Sequence, residues 1–412
     1  VTQASVQLGG LPVWELHFDA DGRRRGHDGA TALARAAARG EIADLLVFSH
    51  CRNNDRAMAR AFENRFIEQF AAVASCAGVS RPVGVAVVSW PSMQWPGDQP
   101  ERDDRASAPV AMQQALHALF ADPVQQGAAD TALALLRLQP EDHIALERFQ
   151  GLLSLLAEGP PLEPEDDGKA ALLERPAHEA FDAVAALDSR GHGNGFKRLW
   201  AGAEHALRLT SYYQMKKRAR VIAVEGLAPA LTRLLEQPGA PRVHLVGHSA
   251  GAQVIAFALR GLERRPVQSM TLMQATFSHF AFAESLPFAP DRAGGLAGLR
   301  QRVDGPILVT HSVHDLAVGH DYARASMLGH DGGRPLDARY RWAPMGFDGA
   351  QCCEAVGLRL EPAGHDYPFA PGKVFNLDGD DVIRCRRGRG GAHNDIHHPE
   401  LAWAVLRAAQ LA

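Results

Sequence analysis

The sequence predicts an α/β protein with a mostly parallel central sheet, flanked by helices and interrupted by a large helical insertion. Three observations predict it. Short apolar runs at 42–49 (IADLLVFS), 83–90 (VGVAVVSW), 242–246 and 306–310 (PILVT) each stop in polar or turn residues. Strands buried on both faces of a parallel sheet read this way. Helix-patterned stretches lie between the runs, so strand, helix and strand follow one another at βαβ spacing. The rhythm is suspended between residues 93 and 208, where Ala- and Leu-rich helical stretches alternate with Pro, Gly and acidic residues and no strand pattern occurs.

Taken in order, residues 11–19 (LPVWELHFD) alternate and read as a strand, with Asp21-Gly22 as the turn of a hairpin. Residues 31–39 are Ala-rich and helical. The run 42–49 ends in His50-Cys51-Arg52-Asn53-Asn54-Asp55. A long amphipathic helix covers 56–77, and the next buried strand, 83–90, is closed by Pro91. Within the insertion, 112–121, 131–138 and 143–156 are helical, and 159–168 (GPPLEPEDDG) is a solvated loop. Helical pattern then carries 201–235 up to Pro238. A strand at 242–246, a helix at 250–263, strands at 267–276, 306–310 and 374–383, and an amphipathic helix at 399–411 complete the chain. The expected division is 1–95 and 201–412 as two parts of one core, with 96–200 inserted between them.

A chain of 412 residues exceeds what one core usually needs, which agrees with an insertion. Hydrophobic residues at 46% and charged residues at 22% are ordinary for a globular enzyme. A net charge of -4 gives no reason to expect nucleic acid or an anionic membrane surface as partner. No apolar run approaches the roughly 20 residues of a membrane-spanning helix. The five cysteines (Cys51, Cys76, Cys352, Cys353 and Cys385) are odd in number, and the adjacent pair is poorly placed to bridge, so a reduced compartment is expected. No signal-peptide pattern opens the chain at Val1, and the expected location is the cytoplasm.

The chemistry centres on Gly247-His248-Ser249-Ala250-Gly251. Five letters with three fixed are weak evidence alone, but here an apolar strand precedes the motif without a gap and a helix follows without a gap. That is the setting of a nucleophile elbow. The turn is tight enough that side chains two residues either side of the serine would collide, which accounts for Gly247 and Gly251. The helix beginning after Ser249 points its positive end at a developing oxyanion, with the Ala250 N–H as first donor.

A serine hydroxyl needs a base, and the base an orienting acid. In this topology the chain order is Ser, acid, His. Asp315 follows the strand 306–310 and is the expected acid, with Asp321 as runner-up. Of the late histidines His365, His393, His397 and His398, His393 follows Gly390-Gly391 and precedes the last helix, and is the expected base. His397 and His398 abut Pro399 and read as cap residues. A metal site from His393, Asp395 and His397 would need a helix through a stretch that is Gly-rich before and Pro-terminated after, so none is expected. The second oxyanion donor is expected from the loop after the early strand, at the N–H of Cys51 or Arg52. Trp90, Met93 and Trp95 at the start of the insertion, with His248 in the elbow, are the expected substrate-facing residues.

This constellation resembles the α/β-hydrolase superfamily. The finer pattern is similar to a poorly characterised group of bacterial α/β hydrolases whose early loop reads His-Gly-x-Asn-Asn-Asp, whose elbow reads His-Leu-x-Gly-His-Ser-x-Gly, and whose late loop reads Ala-His-x-Asp-Ile with Pro-Glu-x-Ala-Trp following. Residues 50–55, 244–251 and 392–403 carry the likeness, which covers 1–95 and 200–412. Cys51 stands where the pattern has Gly, which bears on the second oxyanion donor. The resemblance implies a Ser-His-Asp triad, a helical lid in the insertion, no cofactor, and water as second substrate. The expected activity is hydrolysis of a small-molecule or lipid-like carboxylic ester. An amidase or peptidase on the same triad, and a non-catalytic binding protein keeping the fold, are the alternatives.

Overall fold

A computed structural model describes residues 5–26, 28–50, 56–92, 108–120, 122–157, 163, 173, 175–186, 195–263, 267–316, 343–385 and 390–412. The chain divides into two units: Val1–Ser92, Arg218–Gly319 and Pro344–Ala412 form the first, and Met93–Lys217 with His320–Ala343 the second. The helical insertion thus extends past residue 200, to Lys217.

The first unit is an α/β fold on a mostly parallel sheet. Its strands among the described residues are β1 (Val6–Leu8), β2 (Leu11–His17), β3 (Asp44–Ser49), β4 (Val83–Ser89), β5 (Arg242–His248), β6 (Ser269–Met273), β7 (Ile307–His311), β8 (Val356–Arg359) and β9 (Val374–Asp378). They lie in the order β1-β2-β4-β3-β5-β6-β7-β9-β8, and every pairing is parallel except β1 with β2. Every residue of β3, β4 and β6 is buried, the physical counterpart of the apolar runs that form the middle of β3 and most of β4.

The helices of this unit are α1 (Asp28–Ala38), α2 (Arg56–Cys76), the end of a longer helix at Arg218–Val221, α8 (Ala228–Leu235), α9 (Ala250–Ala258), α10 (Met345–Asp348) and α11 (Pro399–Ala408). On one face of the sheet, Phe66, Ile67 and Phe70 of α2 join Leu401, Val405 and Leu406 of α11 in a core with Leu46, Phe48, Val85, Val87 and Val246. The helical pattern at 201–235 is broken by a π-helical segment, Ile222–Leu227, ahead of α8. The second unit carries α3 (Ala108–Leu119), α4 (Pro123–Leu138), α5 (His143–Leu156), α6 (Ala177–Ala186) and α7 (Phe196–Val221, up to Lys217). Asp122 and Asp142 cap α4 and α5 by accepting from the N–H groups of Val124 and Ile144. Phe149, Phe181 and Trp200 pack edge to face in its interior, and the Trp200 indole N–H donates to the Pro140 carbonyl.

Two short strands escape the sequence patterns. β1 pairs antiparallel with β2 across Gly9-Gly10, whereas the expected hairpin after β2 is reduced to a single bridge, Phe18 to Arg24. β8 is a mostly exposed edge strand on β9. The expected strand at 374–383 ends at Asp378, and the helix expected at 250–263 ends at Ala258 in a 3-10 turn. Among the described residues no helix is long and apolar enough to cross a membrane.

At the N-terminal edge of the sheet the fully buried Asp44 ties three segments together. Its carboxylate accepts from Arg81 Nε at 2.6 Å, Arg242 Nε at 2.7 Å and His244 Nε2 at 3.0 Å. These hydrogen bonds hold the Asp44 carboxyl down at about 2 against the opposing effect of burial. His244, its Nε2–H given to Asp44, turns Nδ1 to the Ser269 hydroxyl at 2.9 Å, joining β3, β5 and β6.

Candidate active site

The parallel strands bring their C-terminal ends to one edge, where β3 delivers His50 and β5 delivers His248 and Ser249. β5 runs to His248, two residues beyond the expected end, and α9 starts at Ala250. The whole reversal therefore falls on Ser249, which sits at φ 57°, ψ -130°. A non-glycine residue in this region costs on the order of 1–3 kcal/mol and persists only where its surroundings enforce it. The enforcement is local. The Ser249 N–H donates to the Met273 carbonyl at 3.0 Å, and the Ser249 carbonyl accepts from the Ala252 N–H at 3.1 Å. A Cβ on Gly247 would lie 2.5 Å from Ala252 Cα, and one on Gly251 only 2.2 Å from the Ser49 carbonyl oxygen. Gly251 is thus required by the approach of α9 to β3, as well as by the turn itself.

Ser249 holds the N-cap position of α9, where a serine hydroxyl ordinarily caps the helix, yet it makes no cap bond. Its Oγ lies instead 2.8 Å from His393 Nε2. His393 Nδ1 lies 2.8 Å from Asp315 Oδ2, and Asp315 is fully buried. A carboxylate only accepts, so Nδ1 carries the proton and the Nε2 lone pair faces the serine hydroxyl. Ser249 is itself 7% exposed.

Two loops supply the acid and the base, and they are tied to each other. Ser312 Oγ donates to the Ile383 carbonyl at 2.7 Å, the Val313 N–H to Asp380 at 2.9 Å, and the Asp315 N–H to the Ser312 carbonyl at 3.1 Å. Asp315 then bridges to Gly391, and the Ala392 N–H donates to the His314 carbonyl at 2.9 Å. The glycine pair before His393 lets the late loop lie against the Asp315 loop: a Cβ on Gly391 would meet the His314 carbonyl at 2.5 Å.

Behind this chain lies a group of rings that sequence reasoning did not assemble. His248 was expected to face substrate; it is fully buried, with both ring nitrogens engaged inside the protein. Its Nε2 is 2.8 Å from the His393 carbonyl oxygen, and its Nδ1 is 3.0 Å from His50 Nδ1. The carbonyl can only accept, so His248 donates from Nε2 and accepts at Nδ1 from His50. Phe62 of α2 stacks on His50 at 4.2 Å between centroids and meets His397 edge-on at 4.4 Å. Burial, and then the neighbouring imidazoles of His393 and His50, hold His248 well below the ordinary imidazole range. Burial likewise brings His397 down to about 4, its Nε2–H donating to the Phe62 carbonyl at 3.0 Å. His50 opens the early-loop motif and His248 lies in the elbow motif, but neither motif signals that the two rings meet behind His393.

The remaining expected residues divide as follows. Ala250 opens α9, whose first N–H groups have no acceptor within the helix. Trp90, directly after β4, is 2% exposed. Cys51, Arg52, Met93, Trp95 and Asp321 lie outside the described residues. The stretch 390–398 is not helical, and its polar groups serve other bonds: Asp395 accepts from the N–H groups of Arg384 and Cys385, and His397 from α11's approach turns to Phe62 instead of capping the helix. Among the described residues no cluster of His, Cys, Asp or Glu is arranged to hold a metal ion. His365 packs on Tyr367, apart from Ser249's partners.

What this arrangement can do chemically is move a proton from a hydroxyl at a strained turn to an imidazole whose other nitrogen is held by a buried carboxylate. No protein-family model, curated protein or solved structure matches the chain.

Proposed function

We propose that the chain is a serine hydrolase of the α/β-hydrolase type that cleaves a carboxylic ester through an acyl-enzyme. The observation that carries this reading is the Ser249–His393–Asp315 hydrogen-bond chain, 2.8 Å at each step, built on a serine at positive φ between a strand and a helix. In the proposed mechanism His393 Nε2 takes the hydroxyl proton as Ser249 Oγ adds to the ester carbonyl. Asp315 accepts from Nδ1–H throughout and stabilises the imidazolium. The Ala250 N–H, at the positive end of α9, donates to the oxyanion, joined by an N–H from Cys51 or Arg52. Collapse of the adduct transfers the His393 proton to the departing alcohol. Water then repeats the sequence: His393 takes its proton, the acid leaves, and Ser249 regains its hydrogen.

The helical insertion, which follows β4 and Trp90 in the chain, is proposed as a lid, and the substrate as a small or lipid-like ester. The test is turnover of p-nitrophenyl esters of graded acyl length beside the matching anilides. We expect ester turnover that is lost in Ser249→Ala. Preferential anilide turnover would move the reading to an amidase, and ligand binding without turnover of either would make the fold a binding scaffold.

A further inference from the structure

We infer that His248 is a positioning residue for His393: anchored by His50 at one ring nitrogen, it holds the His393 main-chain carbonyl with the other and so fixes that imidazole between Ser249 and Asp315. The inference rests on the reading that these three residues carry the chemistry, and it adds two residues, His50 and His248, to which that reading assigned no such role.

The geometry gives the relay a direction. The His393 carbonyl accepts from His248 Nε2 at 2.8 Å, which in the neutral ring leaves Nδ1 as an acceptor. His50 Nδ1, 3.0 Å away, is therefore the donor of that pair. The His248 tautomer is thus set by a backbone oxygen. A second proton on His248 would reverse its bond with His50, whose Nδ1 would then have to accept, so this direction of the relay belongs to neutral His248. Its surroundings favour that state. His50 faces it from the end of β3, His393 from the late loop and His397 from the approach to α11, with the Phe62 ring of α2 beside it. Each neighbouring imidazole discourages a charge on His248, as burial does.

The relay also connects parts that must agree in position for the serine to be activated. His50 directly follows β3 and precedes residues 51–55, where the second oxyanion donor is expected. His248 is bonded in the chain to Ser249. The His393 carbonyl belongs to the residue that must meet Ser249 on one side and Asp315 on the other. A buried imidazole serving only as core filler would be replaceable by an apolar side chain of similar volume. One that holds the base has a more specific signature. Losing it frees the His393 main chain while leaving substrate contacts in place, and misplacement of a reacting group by about 1 Å costs on the order of 100-fold in rate.

The experiment compares wild type, His248→Leu and His248→Gln. Gln carries an N–H at the reach of Nε2, whereas Leu fills the space without a donor. The first readout is p-nitrophenyl butyrate turnover. We expect kcat to fall roughly 100-fold in His248→Leu with KM within about twofold, and to recover most of the way in His248→Gln. The second readout does not depend on turnover: the downfield proton signal of His393 Nδ1–H bonded to Asp315, assigned by its loss in His393→Ala. It is expected in wild type and His248→Gln, and shifted or lost in His248→Leu. An unchanged signal with unchanged kcat in His248→Leu would overturn the inference, as would equal damage in both variants accompanied by equal loss of thermal stability. If wild type shows no ester turnover while the signal responds as expected, the positioning role stands and the ester-hydrolase reading is what fails.

Discussion

At the scale of single residues, the Ser249 hydroxyl is the most unusual in its position. It occupies a helix N-cap yet forgoes the cap bond for His393, at a backbone conformation with an energetic cost. Replacing Asp315 by Asn keeps the shape but reverses the hydrogen bonding at His393 Nδ1. We expect Asp315→Asn to lower kcat by about 10⁴-fold with little change in KM, measured on the best p-nitrophenyl ester. Gly251 is a second residue whose role is geometric: a methyl group there would meet the Ser49 carbonyl at 2.2 Å. Gly251→Ala should therefore destabilise the fold by about 1–3 kcal/mol and impair turnover through the elbow, read from a urea midpoint and kcat together. The meeting of Ser249, Asp315 and His393 was legible from sequence because a motif, a chain order and the placement of loops after strands all constrain them. His248 was not, because a sequence records that a residue is polar but not which way it faces. Here the strand carries it inward, where His50 and a backbone carbonyl satisfy it.

At the scale of elements, the buried strands and long helices were legible because apolar periodicity is a direct consequence of burial. β1 and β8 lacked that signal: each is only three or four residues long, lies at a sheet edge and is largely exposed. The π-helical interruption at Ile222–Leu227 was hidden for the opposite reason, since its residues keep a helical apolar pattern while the hydrogen bonding shifts. Long-range polar contacts leave no periodic trace at all, and the Asp44 network is the clearest instance. It joins the start of β3 to Arg81 before β4 and to Arg242 and His244 of β5. Asp44→Asn would leave two guanidinium groups without their carboxylate. With both guanidinium groups partly open to water, we expect it to cost about 1–3 kcal/mol, seen as a lower urea midpoint with an unchanged m-value, while the geometry of the distant serine is retained.

At the scale of the whole molecule, the buried histidines set a direction for the response to acid. His244, His248 and His397 all lie below the ordinary imidazole value, with burial the leading cause in each. The unfolded chain therefore binds protons that the native state refuses, and stability falls as pH is lowered. For His397 the window runs from about 6.5, where the unfolded side chain begins to charge, to about 4, where the native one does. The Asp44 carboxylate adds a further loss only below its unfolded value, as pH falls through about 2. Thermal melts should thus be level near neutrality and decline from about pH 6.5 downward. His397→Gln, which keeps a donor for the Phe62 carbonyl but cannot charge, should make that decline shallower. Ser249, Asp315 and His393 come from the end of β5, the loop after β7 and the loop before α11, so only an intact first unit brings them together. The most direct measurement is intact-mass and peptide mass spectrometry after exposure to a fluorophosphonate. The predicted result is a single adduct on Ser249 in wild type, absent in Ser249→Ala and slowed strongly in His393→Ala. A wild-type protein that takes up no adduct, or one that persists in Ser249→Ala, would contradict the account.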